Sequence, residues 1–412
     1  MKKIAIIILI SLSSSWQLGA QGLTDYLRMA AENNPGLKGK YHAFEAELQK
    51  IPQVGALPDT QLSFGYFVSP VETRLGPQRF NLSLMQRFPW FGTLEAKRNV
   101  AAAEAQVKYQ VFLDARNHLF LQVALAYYQL YEIRIKDELL GKDLLLLESL
   151  RSIALKKIEH GQGKMVDVLR LDLQAEEFKS QRVVLDQKRI PLTTDLNLLL
   201  GREEDIPIQF PDSLPLPELD EGYRKDSIFI KNPRVTEVDE QIEAFAKREK
   251  LAEKQSLPSF GAGLTYINTG RRSDAAPAQN GRDALLPMVS MNIPLSRKKN
   301  QASLAEFQLR QKSLEERKIA IQNQILTEYQ KAWFAIAQNV ELAGLYDRQL
   351  NLADQTLNLL LAEYQNSGQS FDEVLMTHQS LVRYQLKKVD AETGLFKAAA
   401  RLDFITAKDI VK

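Results

Sequence analysis

Four stretches of this chain alternate apolar and polar residues with a period of two. In "TQLSFGYFVS", Leu62, Phe64, Tyr66 and Val68 share one face, and Gln61, Ser63, Gly65, Phe67 and Ser69 share the other. "RFNLSLMQRF" sets Phe80, Leu82, Leu84 and Phe88 opposite Arg79, Asn81, Ser83 and Arg87. Further on, Phe260, Ala262, Leu264 and Tyr266 lie opposite Ser259, Gly261, Gly263 and Thr265, and Val289, Met291 and Ile293 lie opposite Ser290 and Asn292. These patterns predict strands over about 60–69, 79–88, 259–268 and 285–294. Each pair of strands is followed by a long stretch without proline, between Pro89 and Pro191 and again after Pro294, dominated by Ala, Leu, Gln, Glu, Lys and Arg. Residues of these types predict helix almost throughout. A helix over 93–158 would extend about 100 Å at 1.5 Å per residue, too long to fold over a four-stranded sheet.

Both helical stretches are interrupted alike. "HGQGKMVDVL" at 160–169 and "NSGQSFDEVL" at 366–375 each place glycine before an acid, Val and Leu. Gly161, Gly163 and Gly368 permit the reversal of a helical hairpin, with tips near 160–165 and 366–371. The following acids, Asp167, Asp372 and Glu373, fall in a first turn, where the helix dipole favours a carboxylate. Other landmarks recur at a similar offset. Asn34-Pro35 answers Asn232-Pro233, "LPDTQLSFGY" from Leu57 answers "LPSFGAGLTY" from Leu257, and "QRFPWFG" answers "MNIPLSR". The slow drift of the offset marks an internal duplication. The expected division is a signal segment over 1–20, a first repeat over 21–202, a proline-rich connecting segment over 203–231, and a second repeat over 232–412.

Composition narrows the class. Lysines and arginines number 53 against 51 acids, a formal net charge of +2, which gives no electrostatic case for nucleic acid. Lys2 and Lys3 precede an apolar run from Ile4 and then small residues to Ala20, the pattern of an export signal too short to span a bilayer. With no cysteine in the chain, an exported protein gains no disulfide and must be held by packing and assembly. His42, His118, His160 and His378 are scattered, and no phosphate loop or nucleophile elbow occurs, so neither enzyme, cofactor nor metal site is expected. Met165 and Met376 near the tips read as helix filler.

An exported chain whose alternating strands have no cover closes them into a barrel in a membrane. Four strands are too few to close one, so several copies must contribute. In this ordered set the chain resembles the TolC family of outer-membrane channel proteins, most specifically at "EYQNSGQSFDEVL" from Glu363 and at the glycine-containing turn before Asp167-Val168-Leu169. The resemblance covers nearly everything after the signal segment. It implies a mainly helical fold with membrane strands, in which long antiparallel hairpins form a periplasmic tunnel. A homotrimer would share a twelve-stranded β-barrel, and a mixed α/β belt would draw on 203–222. It further implies a passive exit duct working with a periplasmic adaptor and an inner-membrane pump. Pore constriction would fall on Glu373 with Asp372, and Tyr364 matches the family's tyrosine at the closed tip. Met376 and Gln369 depart from the family pattern, which has a second acid and, in some members, an arginine there. Adaptor contact would fall on Gly161, Gly163, Asp167, Val168 and Leu169 and on Gly368, Val374 and Leu375, residues that equally suit packing within a hairpin. "FPWFG" at 88–92, where strand passes to helix, offers aromatics for a membrane boundary. The competing reading is a periplasmic coiled-coil scaffold or adaptor without a membrane barrel, which would not need detergent.

Overall fold

The computed structural model describes residues 22–217, 228–275, 277–367 and 371–408. The export signal expected over 1–20 lies outside the described residues. In chain order the elements are α1 (Leu23–Asn33), α2 (Pro35–Val54), β1 (Gln61–Val71), β2 (Gln78–Phe88), α3 (Thr93–Glu159), α4 (Met165–Leu199), α5 (Pro233–Gln255), β3 (Ser259–Thr269), β4 (Ala284–Asn292), α6 (Arg297–Ser367) and α7 (Phe371–Thr406).

The two Asn-Pro pairs do the same work in both halves. Asn34 caps α2, its Oδ1 accepting from the Leu37 amide at 2.9 Å, and Asn232 caps α5 by accepting from the Arg234 amide at 3.0 Å. Proline follows each cap at the first helical position, where its missing N–H costs nothing. Each Asn side chain then donates to a carbonyl near the end of the returning helix, Asn34 to Leu199 at 3.0 Å and Asn232 to Ile405 at 2.8 Å. Duplication is thus written in the hydrogen bonds as well as in the residue order.

The long helices α3 and α6 run 67 and 71 residues, while the returning helices α4 and α7 run only 35 and 36. Near the sheet, α2 and α5 pack along α3, and α5 also packs along α6; towards the tips, α4 and α7 take over. Each long helix therefore changes partner partway along its length. Three apolar cores follow from this. One gathers Tyr26, Leu119, Phe120, Tyr127, Leu196 and Leu200, and its counterpart in the second half gathers Val235, Ile325, Ile336, Leu395 and Leu402. The third joins all four hairpin helices near the tips. Residues 203–217 run without strand or helix along the first of these cores, with Phe210 against Tyr127 and Arg134 donating to the Phe210 and Pro211 carbonyls. Within the segment expected to join a mixed α/β belt, the carbonyls of Glu204, Ile206, Phe210 and Pro211 accept from helix side chains.

The four strands form one antiparallel sheet in the order β1-β2-β3-β4, so β2 and β3 join the two halves. Register places Leu62 beside Leu84, Leu84 beside Leu264 and Leu264 beside Pro287, and it places Phe64, Leu82, Tyr266 and Leu285 in the neighbouring row. One face is thus apolar across all four strands. The other carries Ser63, Ser83, Thr265, Gly261, Gly263 and Ser290, with the Ser83 and Thr265 hydroxyls bonded at 2.7 Å across the central ladder. Crowding keeps that face small, since a Cβ on Gly263 would come 2.9 Å from the Leu84 carbonyl oxygen. On the apolar face, Leu62, Phe64, Tyr66 and Val68 are exposed, Phe64 by 67%. No described helix lies over them.

Candidate functional site at the hairpin tips

At the first tip α3 ends at Glu159, and Gly161 takes φ +71°, a left-handed conformation that other residues adopt at a cost. The Gly161 amide donates to the Ile158 carbonyl and the Gln162 amide to that of Lys157 at 2.8 Å, which closes the turn. Gly163 serves differently from the left-handed role its residue type suggests. Its backbone passes so close to α3 that a Cβ would sit 2.9 Å from the Ile158 nitrogen. Lys164 precedes α4, and Asp167 lies in its first turn. At the second tip, Gly368 lies outside the described residues, and α7 starts at Phe371 with Asp372 and Glu373 in its first turn.

The two tips pack on one another. Val168, Leu171 and Phe178 of α4 meet Leu147, Leu150 and Ala154 of α3, Tyr364 of α6, and Phe371, Val374 and Leu375 of α7 in a common core. Arg170 of α4 pairs with Asp372 of α7, an ion pair that ties one hairpin to the other. Deeper in, the Gln379 amide donates to the Gln174 side-chain oxygen at 2.5 Å. His378, fully buried, approaches Asp143 at 3.5 Å.

Tyr364 is enclosed at the centre of this arrangement. Its ring lies 5.2 Å from that of Phe371 and 5.0 Å beneath the Lys157 ammonium, and its hydroxyl finds no hydrogen-bond partner among the described residues. Burial pushes the phenol's pKa up, and the charge of Asp167 adds to that. Of the three constriction candidates, Asp372 and Glu373 are exposed and Tyr364 is buried within the single chain.

The adaptor-contact candidates divide in the same way. Val168, Val374, Leu375 and Asp167 are buried in the single chain. Leu169 is exposed, and Met165, Val166 and Leu173 beside it on α4 extend that apolar strip. Met376 is exposed on α7. Sequence alone points to Leu169 but misses Arg170, Lys157 and Gln174, whose partners lie in the opposite hairpin and leave no local pattern.

Away from the tips a polar network ties α3 to α7. Glu132 accepts from Lys136 at 2.8 Å and Lys397 at 2.5 Å, and Lys136 also pairs with Asp390. Burial would raise the Glu132 pKa, but the two ammonium groups outweigh it and hold the carboxyl below its usual range. Among the described residues, no three His, Cys, Asp or Glu side chains converge in a way that would hold a metal ion. No described helix is long and apolar enough to cross a membrane.

No family model and no curated protein matches the chain. Solved structures do match. VceC, an outer-membrane protein of Vibrio cholerae, superimposes with a TM-score of 0.73 at 15% identity, covering 93% of this chain and 95% of that one. It has the fold of the TolC-family channels. A membrane protein from Pseudomonas aeruginosa shares the TolC-family fold at a TM-score of 0.76 and 15% identity, covering 93% of each chain. CusC, described in connection with transmembrane channel formation, shares it at 0.73 and 18%, covering 93% of this chain and 91% of its own. At such low identity the likeness is one of fold.

Proposed function

We propose that the chain is one protomer of an outer-membrane channel, the passive exit duct of a tripartite efflux or secretion system. The observation that carries this reading is the four-stranded sheet with one continuous apolar face and none of the described residues over it. Three copies supply twelve strands, enough to close a barrel with that face in lipid and the Ser-, Thr- and Gly-rich face towards the lumen. An eleven-residue strand spans about 36 Å, or about 25 Å along the normal when tilted at 45°, the height of a barrel's apolar band. The long hairpins then extend the barrel as a tunnel through the periplasm, and their tips form its inner mouth. OprN and CmeC, which share the fold, are described as outer-membrane channels, and this supports the same location here.

At the mouth, Glu373 from three copies forms a ring that attracts cations, while the pairing of Asp372 with Arg170 holds the hairpins closed. The exposed strip Met165, Val166, Leu169 and Leu173 receives a periplasmic adaptor, which connects the duct to an inner-membrane pump.

The test is to extract the mature protein from membranes, determine its mass in detergent, and record conductance in planar bilayers. A detergent-dependent particle of three chains with single-channel steps is expected. Release into buffer as a monomer or dimer, without conductance, would replace the duct by a periplasmic scaffold.

A further inference from the structure

At the end of the sheet away from the helices, the β1–β2 and β3–β4 connections are locked to each other. The Gly270 amide donates to the Pro77 carbonyl and the Gly281 amide to the Leu75 carbonyl, both at 2.7 Å. Gly76, at φ +126°, passes so close to Gly270 that any side chain would overlap the Gly270 carbonyl oxygen. Five arginines surround this knot. Arg74 adjoins Leu75, Arg282 adjoins Gly281, the Arg79 guanidinium packs against Gly270, and the Arg271 stem packs against Gly281. The fifth, Arg272, is taken up by Asp274 at 2.6 Å, with Glu72 contributing to its electrostatic surroundings.

Asp274 and Asp283 are engaged locally, and Glu72 faces Arg272. Asp283 accepts from Tyr266, from Asn268 at 3.1 Å and from the Thr269 amide at 2.9 Å. Arg74, Arg79, Arg271 and Arg282 are all exposed, and none forms an ion pair among the described residues. Four guanidinium groups on a rigid backbone knot, none of them paired with a carboxylate among the described residues, match the chemistry of phosphate, which accepts the paired N–H donors of arginine.

We propose that this cluster binds the phosphate groups of phosphorylated lipid in the leaflet that surrounds the far end of the barrel. The proposal rests on the channel reading, under which these connections emerge at the outer membrane surface, where glycolipid head groups carry phosphates. A trimer presents three such clusters around the rim, next to the apolar band that would hold the acyl chains. Basic clusters beside a hydrophobic segment recognise anionic head groups in this way.

The trimer in detergent is titrated with diphosphorylated lipid A, and retained lipid is counted by native mass spectrometry. Dephosphorylated lipid A and inorganic phosphate serve as comparison probes. Saturable retention of the diphosphorylated lipid is expected, reduced at least tenfold when Arg74, Arg79, Arg271 and Arg282 are all changed to Gln, in a variant that still assembles as a trimer and conducts. Equal retention by that variant, equal retention of the dephosphorylated lipid, or full competition by millimolar inorganic phosphate would each overturn the proposal. If the fourfold variant does not assemble, Arg74→Gln with Arg282→Gln, both outside the strands, replaces it under the same criteria. Failure of the wild-type chain to form a detergent-dependent trimer would instead overturn the channel reading itself.

Discussion

Placing a charge on the exposed face of the sheet separates a membrane barrel from a soluble one. Phe64 lies within β1, its ring 5.9 Å from that of Phe80 and two-thirds exposed in the single chain. Phe64→Leu removes the aromatic pairing, about 0.5–1.5 kcal/mol, and keeps the site apolar. Phe64→Arg adds to that loss whatever the surroundings charge for a guanidinium. In water the addition is within about 0.5 kcal/mol, because an exposed site far from other features is nearly indifferent to substitution. On the lipid face of a barrel it is about 2–4 kcal/mol near the midplane. That difference corresponds to a factor of about 30 to 1,000 in the folding equilibrium of each protomer. Ser63→Arg serves as the opposite-face control, since Ser63 sits on the polar side beside Ser83 and its charge would meet lumen water. The assay is urea-dependent folding into lipid vesicles, followed by the heat-sensitive migration of folded trimer on gels. Phe64→Arg folding as well as Phe64→Leu, or Ser63→Arg proving the more harmful of the two arginines, would refute the assignment of faces.

The two Asn caps should be equivalent. Asn34→Ala and Asn232→Ala each lose a cap of about 1 kcal/mol together with the bond to the returning helix, and calorimetry should show comparable falls in Tm. Glu132 makes the helical region acid-sensitive. Its folded pKa is depressed, so its contribution is present above the ordinary carboxylate value of 4.5 and is lost as pH falls through the folded value. Glu132→Gln should flatten the dependence of Tm on pH in that acidic window, leaving only the slope of the other carboxylates. Tyr364→Phe removes a buried hydroxyl with no partner among the described residues and should leave Tm unchanged or raised by a degree or two, whereas Tyr364→Ala should cost about 3–5 kcal/mol. Arg170→Ala should raise single-channel conductance by loosening the tie between hairpins, and Glu373→Gln should weaken block by divalent cations. Unchanged conductance in Arg170→Ala would remove the ion pair from the gating argument.

The strands and hairpin breaks are legible in the sequence because their signals are local. Alternation with a period of two needs only neighbouring residues, and glycine at 161 marks a left-handed turn without reference to the rest of the chain. The roles of Tyr364 and Val374 are not local. A long helix that packs on α2 and α5 near the sheet and on α4 and α7 near the tip has no single apolar stripe, so the inward side of a given tip residue cannot be read from periodicity. Tyr364 in particular is positioned by Lys157 and Phe371, which belong to other helices. The Asn-Pro pairs are intermediate. Their capping is visible in the sequence, while their second bonds, to Leu199 and Ile405, appear only in three dimensions.

The central ladder imposes an order on events in time. Phe88 pairs with Phe260, and the whole of α3, α4 and α5 intervenes between them. Helices form in about a microsecond from local contacts, but this ladder cannot close until the second half of the chain has been made. The first strand pair is therefore synthesised well before its partners, with Phe64, Tyr66 and Leu84 able to join any other strand edge they meet. A chain built this way needs protection until that ladder closes, and the length of helix between β2 and β3 sets how long that protection must last.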